Sequence, residues 1–497
     1  MKISGLAIVA AMTATGAAAQ DIAQANSDWF VAGQATLEER LALQPNTNRA
    51  RNVILLNADG NGVNTNYAIR LFAGQQAGGL GDDHVLPYET FPHMALVKTY
   101  TVNGQTPDSA PTASAMVTGV KSKNTMINVD GSVNVGDCAA LPGNELTTLA
   151  QIADGMGKSV GVISTARITH ATPAASYAVT VHRNWENDSA LPEGCDTQKD
   201  IAAQLFDAMS NGLIDLAMGG GRNNFLPTGF VDDEGKEGRR TDGRNLIAEI
   251  EALGGQYVWN DEGFDALATG GNGPILGLFE ASHMMYEFDR TGEPSLAEMT
   301  AAAIERLSAN EEGYFLSIEA GRVDHANHGG NLHRVLTDGV AFAEAVQMAM
   351  DMTDASETLI IVTADHEHAI TFNGYCGRGS DITGLCMKIN NNGVEHTGEA
   401  NLAADGKPYT VAGYLNGAGS VLTAQAGGEY FGSRPSVTNE EAMDPDYLQQ
   451  ALVPMSSETH AGSDVAVYAH GPFAHLIGGT IEQNVIFHVM HHAMTTE

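Results

Sequence analysis

The residues of this chain that could do chemistry lie far apart in the sequence, and most of them follow an apolar run typical of a β-strand. They are Asp59, Ser109, His170, Thr172, Arg183, Glu319, Asp324, His328, Asp365, His366 and His460. Because open α/β sheets collect their functional residues at the carboxyl ends of their strands, this placement predicts one shared site. A serine, an arginine and a group of Asp, Glu and His metal ligands together indicate metal-assisted phosphoryl transfer.

Ser109 is the candidate nucleophile. It lies in Pro107-Asp108-Ser109-Ala110-Pro111, where Pro111 suits the first turn of a helix. Backbone N–H groups and the helix dipole favour an anion at such a position. No histidine adjoins Ser109, so we expect metal coordination to activate it. The alternative is that Ser109 only caps the helix, which is the commoner role of a serine in this pattern.

The charge of the chain limits its partners. The formal net charge is −35, which argues against nucleic acid or an anionic membrane as a partner. It also repels anionic substrates, so a phosphate site needs local positive charge from metals and an arginine. Arg183 is the candidate, because a guanidinium can hold two phosphate oxygens. A lone arginine is more often a surface ion pair, so this interpretation depends on the other residues of the set.

The segment from residue 319 to residue 328 is the richest in metal-ligand side chains. Asp324 and His328 are four residues apart and share one face if the segment is helical. Glu319 follows an apolar run and suits a hard cation. Buried acids and histidines at this density are costly without metals, so the segment predicts a metal site.

Sorted by hardness, the candidate ligands form three sets. The first zinc set is Asp324, His328 and His460, the second zinc set is Asp59, Asp365 and His366, and a magnesium set is Asp59, Thr172 and Glu319 with waters. His170 and His368 are predicted to be neighbours of ligands rather than ligands. Two zinc ions about 4 Å apart would clamp the attacking and leaving oxygens of an in-line displacement.

Alternating patterns along the chain predict the elements that must position these residues. Apolar runs that indicate strands lie at 53–56, 160–163, 213–218, 314–318, 359–362 and 465–468, and helical patterns lie at 195–212, 243–253, 295–309 and 334–352. Continuous apolar runs fit strands buried on both faces of a parallel sheet. The sequence therefore predicts a three-layer α/β/α sandwich with a mostly parallel central sheet.

One segment, 376–455, breaks this rhythm and is predicted to be an inserted subdomain. It is rich in Gly, Asn and Thr, 409–414 has strand character, and Asn416-Gly417 is typical of a turn. The alternative is a long mobile loop. Residues 20–375 and 456–497 are then the catalytic domain.

The N-terminus and the cysteines predict export to the periplasm or the medium. Residues 1–19 have the charged start, apolar stretch and small-residue end of a signal peptide. No other run approaches the roughly 20 apolar residues that cross a bilayer, and we expect no membrane anchor. Four cysteines allow three pairings, and we favour Cys138–Cys195 with Cys376–Cys386 because the latter closes a short loop.

Taken together, the motifs resemble the alkaline phosphatase family from Asn52 to about Met490. The stretches that carry the resemblance are Asp59-Gly60, Pro107-Asp108-Ser109-Ala110, Arg183-Asn184-Trp185, 319–328, 363–368 and 458–462. His170, His325 and Gly277-Leu278-Phe279-Glu280 make the pattern more similar to the animal branch than to the enteric-bacterial one. The insert resembles the crown subdomain of that branch, and Cys138–Cys195 matches one of its disulfides.

The resemblance implies an exported, homodimeric phosphomonoesterase with two zinc ions and one magnesium ion. Ser109 would attack phosphorus and form a phosphoserine that is hydrolysed in a second step, while Arg183 and His325 bind the substrate's phosphate. The resemblance also suggests a calcium site, for which the candidates are the Phe279 carbonyl, Glu280 and Glu293.

Two other functions compete with this prediction. A sulfatase or a phosphodiesterase can share the fold, but sulfatases need C/S-x-P-x-R, and this chain has Ala113 where the arginine belongs. A clamp such as Arg183 favours monoesters over diesters. An exported protein that binds phosphate or metal without catalysis belongs to another class, and the complete set of serine, arginine and ligands argues against it.

Overall fold

The computed structural model describes residues 22–195, 197–271 and 273–496, so the predicted signal peptide lies outside the described residues. The chain divides into two compact units, one ending at Gln44 and one running from Pro45 onwards. In the first unit, helix α1 (Asp28–Ala42) has no buried residue. No helix in the described ranges is long and apolar enough to cross a membrane.

The second unit contains seventeen strands among its described residues. They are β1 (Asn52–Ala58), β2 (His93–Lys98), β3 (Ser159–Arg167), β4 (Leu216–Gly220), β5 (Gln256–Val258), β6 (Ile275–Leu278), β7 (Tyr314–Ala320), β8 (Thr358–Thr363), β9 (Glu367–His368), β10 (Ile370–Phe372), β11 (Ala412–Gly417), β12 (Thr423–Ala424), β13 (Tyr430–Phe431), β14 (Ala451–Pro454), β15 (His460–Ala461), β16 (Val465–His470) and β17 (Gly479–Glu482).

Helices connect these strands. They are α2 (Val63–Gln76), α3 (Ser109–Thr118), α4 (Leu149–Gly155), α5 (Ala171–Ala174), α6 (Ile201–Ser210), α7 (Leu246–Ala252), α8 (Asp261–Asp265), α9 (Leu296–Leu307), α10 (Arg322–His328), α11 (Leu332–Asp351), α12 (Asn439–Ala442) and α13 (Val485–Thr495). Several of them start with the usual capping chemistry, in which a polar side chain accepts a hydrogen bond from a free backbone N–H group. Asp200 caps α6, Ser295 caps α9 in a capping box, and Asn331 caps α11.

Ten strands form the central sheet, in the order β17-β2-β16-β8-β1-β7-β3-β4-β6-β5. The run from β8 to β5 is parallel, with Leu55 of β1 opposite Ser317 of β7 and Ile361 of β8. β16 is antiparallel to both of its neighbours, β8 and β2. The sheet is therefore mostly parallel, and its parallel strands end at one common edge.

The core lies on both faces of this sheet. Along β1, Val53 and Leu55 pack into one apolar cluster and Ile54 and Leu56 into the other. This alternation is the two-residue period of a strand. The first cluster includes buried residues of α3, α4, α6, α7 and α13, and the second includes those of α2, α9 and α11. The predicted three-layer α/β/α fold is confirmed.

The central strands of the sheet could be predicted from the sequence, whereas strands towards its two edges could not. All of the predicted runs overlap strands β1, β3, β4, β7, β8 and β16, although β4 begins at Leu216 rather than at residue 213. β2, β5, β6 and β17 were not predicted. The predicted helices at 195–212, 243–253, 295–309 and 334–352 correspond to α6, α7, α9 and α11.

The segment 376–455 is ordered around small sheets of its own. β11 and β14 form a three-stranded sheet with β10, which precedes the segment in the chain, and β12 pairs with β13. The prediction of a turn at Asn416-Gly417 is wrong, because both residues end β11 and pair with Val453 and Pro454 of β14. The strand predicted at 409–414 begins only at Ala412. The subdomain boundaries remain a prediction.

Both predicted disulfides are confirmed: Cys138 is bonded to Cys195 and Cys376 to Cys386. The first joins two loops that are 57 residues apart in the chain, and the second closes a loop of 10 residues within the inserted segment.

Candidate active site

The predicted site residues meet at the carboxyl edge of the parallel strands. Asp59 follows β1, Glu319 is the penultimate residue of β7, and Asp365 lies two residues beyond β8. His170 and Thr172 lie at the start of α5, shortly after β3. Because these strands are adjacent in the sheet, residues that are hundreds of positions apart in the sequence become neighbours in space.

Ser109 is the first residue of α3 and is not its cap. The carboxylate of Asp108 accepts the hydrogen bond from Ala110 N–H at 2.8 Å, which leaves the Ser109 hydroxyl free. That hydroxyl donates to Oδ1 of Asp59 at 3.3 Å and lies 3.2 Å from Nε2 of His366. The alternative of a capping serine is therefore wrong.

The first ligand set converges closely. Nε2 of His328 lies 3.4 Å from Oδ1 of Asp324, Nε2 of His460 lies 3.3 Å from that same oxygen, and the two Nε2 atoms are 3.0 Å apart. The other ring nitrogens donate to the Glu458 and Pro107 carbonyl oxygens, at 2.6 and 2.8 Å. Each imidazole therefore presents Nε2 to the site, which is how a histidine is oriented towards a metal.

The second ligand set is fully buried. Nε2 of His366 lies 3.1 Å from Oδ1 of Asp59 and 3.4 Å from Oδ2 of Asp365. Backbone N–H of Gly60 donates to Asp365 at 3.1 Å. Gly60 has a φ of +69°, and a Cβ there would lie 2.4 Å from the ring of His368, so only glycine fits. The rings of His366 and His460 stack at 3.6 Å, which places the first two sets side by side.

The third ligand set adjoins the second through Asp59. The hydroxyl of Thr172 lies 3.4 Å from Oδ2 of Asp59. Asp59, Glu319 and His170 form a further group whose ligand atoms lie within 4.8 Å of one another. Glu319 accepts a hydrogen bond from Ser164 through Oε2, whereas its buried Oε1 has no partner among the described residues.

The electrostatics of the three buried carboxylates fit divalent cations. Burial, together with the charge of Asp324, raises the pKa of Asp59 to about 6. Burial and the charge of Asp59 raise the pKa of Asp365 to about 6, and the same two causes raise that of Glu319 well above its usual value. Buried carboxylates so close together repel one another unless cations lie between them. The donor set of carboxylates, imidazoles and a hydroxyl suits zinc and magnesium.

His368 adjoins the first set and belongs to two groups of potential metal ligands, one with Asp324, His366 and His460 and one with His328 and Glu458, so its role as a neighbour of ligands remains a prediction. Nδ1 contacts Oε2 of Glu458 at 2.6 Å and Nε2 contacts Oδ1 of Asp324 at 2.9 Å. Burial opposes its charge, but the bonds to these two carboxylates raise the pKa of His368 to about 10. Sequence reasoning missed Glu458 as a functional residue, although its position two residues before His460 was a usable signal.

Arg183 is held between two partners at the mouth of the site. Nη1 donates to Oδ1 of Asp108 at 3.1 Å and Nη2 lies 3.1 Å from Nε2 of His170. The side chain remains 16% exposed, so a substrate can reach it. His325, which lies on α10, packs its ring 5.4 Å from that of His170.

His283 also belongs to this region and was missed. Its ring lies 4.1 Å from the ring of His325 and 5.3 Å from that of His170. His283 follows β6 in a loop, and although Glu280 and Glu287 lie three and four residues from it, nothing in this spacing indicates that its ring packs against His170 and His325.

The calcium candidates lie elsewhere, beyond the end of β6. Oε1 of Glu293 accepts the N–H of Met285 at 2.7 Å, and its buried Oε2 has no partner among the described residues. Burial raises the pKa of Glu293 to about 7, and the charge of Glu280 adds to this rise. Neither glutamate belongs to a group of three or more potential metal-ligand side chains in the described ranges. The calcium site, with the Phe279 carbonyl, remains a prediction.

Comparisons with known proteins agree with the geometry. A model of the alkaline phosphatase family matches residues 50–496. Alkaline phosphatase of Gadus morhua is 40% identical, over 94% of this chain and 96% of that protein. The tissue-nonspecific isozyme of alkaline phosphatase from Felis catus is also 40% identical, over 94% of this chain and 88% of its own.

Solved structures show the same fold. Alkaline phosphatase from Thermus thermophilus has a TM-score of 0.63 at 22% identity, covering 91% of this chain and 93% of that one. A mutant of alkaline phosphatase from the bacterium TAB5 has a TM-score of 0.60 at 21% identity, covers 90% of this chain and 99% of that one, and has Mg bound in a site named M3. The protein described here belongs to the alkaline phosphatase family of hydrolases, with 40% identity to its animal members.

Proposed function

We propose that this protein hydrolyses phosphate monoesters through a phosphoserine intermediate on Ser109, with two zinc ions and one magnesium ion. The observation that carries the proposal is the position of the Ser109 hydroxyl, within 3.3 Å of two members of the second ligand set. Metal-dependent hydrolysis of phosphate monoesters is the established activity of the family. For this chain we propose, in addition, the phosphoserine intermediate and the identity and number of the metals.

The ligand sets would divide the metals between them. Asp324, His328 and His460 would hold the first zinc ion, Asp59, Asp365 and His366 the second, and Asp59, Thr172 and Glu319 the magnesium ion. Support for magnesium also comes from the TAB5 relative, in which that metal is bound. When bound, such metals polarise phosphoryl oxygens and lower the pKa of nearby hydroxyl groups and water.

The chain's own residues then position the substrate. Arg183 donates two hydrogen bonds to non-bridging oxygens of the phosphate, and His325 lies beside it. Ser109 loses its hydroxyl proton, which points towards Asp59, and its oxygen forms a bond to phosphorus. The P–O bond to the leaving group breaks on the opposite face, and the leaving oxygen takes up a proton and departs as the alcohol. Because the first set adjoins the second, the leaving oxygen emerges on the side of His328 and His460. A water molecule then attacks the phosphoserine from that side, which releases phosphate and restores Ser109.

The proposal also covers the cellular location of the protein and its oligomeric state. The two disulfides form in oxidising compartments, which supports a location in the periplasm or the medium. We also propose that the chain forms a homodimer and that 376–455 is a crown-like subdomain, both by likeness to the family.

A chromogenic monoester assay with and without chelator tests the proposal. We expect turnover that a chelator abolishes and that zinc with magnesium restores. A matched diester and a matched sulfate ester, measured on the same preparation, should be turned over at least about a hundredfold more slowly, because Arg183 is positioned for an unsubstituted phosphate. Elemental analysis should find two zinc ions and one magnesium ion per chain. Equal turnover of the diester, or turnover that survives chelation, would contradict the proposal.

A further inference from the structure

Three imidazoles form a packed group beside Arg183, which we call the imidazole cluster: His170, His283 and His325. Their ring centroids are 5.3 Å apart for His170 and His283, 5.4 Å for His170 and His325, and 4.1 Å for His283 and His325. His283 belongs to none of the three ligand sets. Its role must therefore come from what it holds in place.

The orientation of His170 depends on its neighbours in this cluster. Arg183 can only donate hydrogen bonds, so its contact with Nε2 of His170 makes Nε2 the acceptor and places the ring proton on Nδ1. A histidine ring is usually oriented by a bond at its second nitrogen. Nδ1 of His170 is buried and has no partner among the described residues. The ring of His170 is therefore held by Arg183 at Nε2 and by packing against the rings of His283 and His325.

His283 is well anchored for this task. Backbone N–H of Arg167, the last residue of β3, donates to Nδ1 of His283 at 3.1 Å. This bond places the proton of the neutral ring on Nε2, so the neighbouring guanidinium of Arg167, which can only donate, adds no second hydrogen bond to His283. That guanidinium instead donates to both carboxylate oxygens of Glu186, at 2.7 and 2.6 Å. The ring of His283 meets that of His170 edge to face, at 82°. His283 therefore connects the end of a core strand to the ring that contacts Arg183.

We propose that His283 is a positioning residue for phosphate binding: its ring fixes His170, and His170 fixes the guanidinium of Arg183. This inference rests on the proposed function, because it takes Arg183 to be the phosphate ligand. His283 touches neither the substrate nor a metal ligand set in this scheme. Its loss should weaken binding of phosphate while the chemical groups around Ser109 remain in place.

Two substitutions of His283 test the packing of its ring and the hydrogen bonding of its ring nitrogen separately. His283→Asn keeps an acceptor for the Arg167 N–H group but removes the ring. His283→Phe keeps a ring of similar size but removes the ring nitrogen that accepts this hydrogen bond. We expect His283→Asn to weaken binding of inorganic phosphate about fivefold to tenfold, the effect of one weakened hydrogen bond to a charged group. KM should rise by a similar factor while kcat changes less than about twofold. His283→Phe should keep most of the affinity. His333→Asn, at a histidine that packs against Phe72 and Phe288, is a matched control.

Calorimetric titration of the zinc- and magnesium-loaded proteins with inorganic phosphate is the central measurement. It is repeated in the Arg183→Ala background, where we expect His283→Asn to have no further effect, because its action passes through Arg183. An equal effect in both backgrounds would overturn the proposal. So would affinity that His283→Asn leaves unchanged, or a larger loss in His283→Phe than in His283→Asn.

Metal content and thermal unfolding of each variant distinguish positioning from a loss of structure. A His283→Asn protein that has lost metal or unfolds early would show that His283 serves the fold, and the proposal would fail. If the native protein binds phosphate but does not hydrolyse monoesters, the proposed function fails, while the comparison of phosphate affinities still decides the role of His283.

Discussion

The hydroxyl oxygen of Ser109 lies 3.2 Å from Nε2 of His366, although the two residues are 257 positions apart in the chain. Ser109 starts a helix whose ten residues are all buried, and His366 follows the buried strand β8. Both side chains are therefore held by rigid elements rather than by mobile loops, which suits a nucleophile that must meet phosphorus in one geometry.

Replacing the nucleophile should separate chemistry from binding. We expect Ser109→Ala to lower kcat by several orders of magnitude, since no other hydroxyl replaces it beside Asp59 and His366. Inorganic phosphate should still bind, because Arg183 and the ligand sets remain. Steady-state kinetics and phosphate titration measure the two effects. Ser114→Ala on the same helix is the control and should keep kcat; turnover at the native level in Ser109→Ala would remove the serine from its role.

Metal content should depend on the carboxylate that two ligand sets share. Asp59 contacts His366 of the second set and Thr172 of the third. We expect Asp59→Asn to lose at least one metal ion per chain, which elemental analysis detects, and to lower the melting temperature. Asp351→Asn, at an exposed carboxylate on α11, should keep the full metal content. Native metal content in Asp59→Asn would contradict the assignment of Asp59 as a shared ligand.

Activity should be greatest in alkaline solution. Hydroxyl groups and water at the metals must lose protons, and water bound to zinc has a pKa of about 7, so the rate should rise as the pH passes that value. At the acid side, protons compete with the metals for Asp59, whose pKa in the metal-free site is raised to about 6 by burial, so sufficiently acidic solution should release metal. A pH profile of kcat/KM together with metal analysis of acid-treated protein checks both expectations. A maximum below about pH 6 would contradict the mechanism.

Asp338 should make folding stability fall as pH rises. It is buried on α11, and burial raises its pKa to about 8 in spite of the nearby charge of Arg322. The same carboxyl group has a pKa near 4 in the unfolded chain. Between about pH 4 and about pH 8 the folded protein holds a proton that the unfolded chain has lost, so stability decreases across this window.

Asp338→Asn cannot ionise and should lack this decrease. From pH 5 to pH 8, its free energy of unfolding should rise relative to that of the native protein by a few kcal/mol, because one pKa unit corresponds to about 1.4 kcal/mol. Urea denaturation of both proteins at the two pH values measures the difference. A difference that is the same at both pH values would show that Asp338 does not titrate in this range.

The two disulfides should contribute unequally to stability. Cys138–Cys195 closes a loop of 57 residues and Cys376–Cys386 a loop of 10. The loss of chain entropy on closing such loops corresponds to about 4 kcal/mol for the first and about 3 kcal/mol for the second. We expect the Cys138→Ser/Cys195→Ser protein to unfold at lower urea concentration than Cys376→Ser/Cys386→Ser. The reverse order would show that strain or residual structure outweighs chain entropy.

Part of the candidate site could be predicted because Asp59, Glu319, Asp365 and His366 lie at or just after the ends of apolar strands. Glu319 ends the apolar run of β7, and Asp365 closely follows that of β8. Parallel strands bring such positions to one edge, so strand order was not needed to expect that these residues meet. That Asp324 and His328 meet could be predicted for a different local reason: residues four apart share one face of a helix, and both lie on α10.

Features that depend on tertiary pairing could not be predicted. β2 contains the short apolar run Met94-Ala95-Leu96-Val97, but the strand is only partly buried, with Met94 49% exposed, and its place in the sheet depends on β16 and β17 from a distant part of the chain. Asn416-Gly417 has turn chemistry, but pairing with β14 keeps it in a strand. His283 reaches the site only because the end of β3 holds it through Arg167, and no spacing in the sequence reports that contact.

The order of strands also has a consequence for how the chain completes its fold. β2 is synthesised early, yet its only two neighbours in the sheet, β16 and β17, are synthesised last. Until residues after 465 have emerged, one margin of the sheet has no pairing partner and exposes backbone groups that could join a second chain. A polypeptide exported in an unfolded state would therefore close this margin only after residues 465–482 had crossed, and removal of β16 and β17 would leave β2 without a partner and the edge of β8 unpaired.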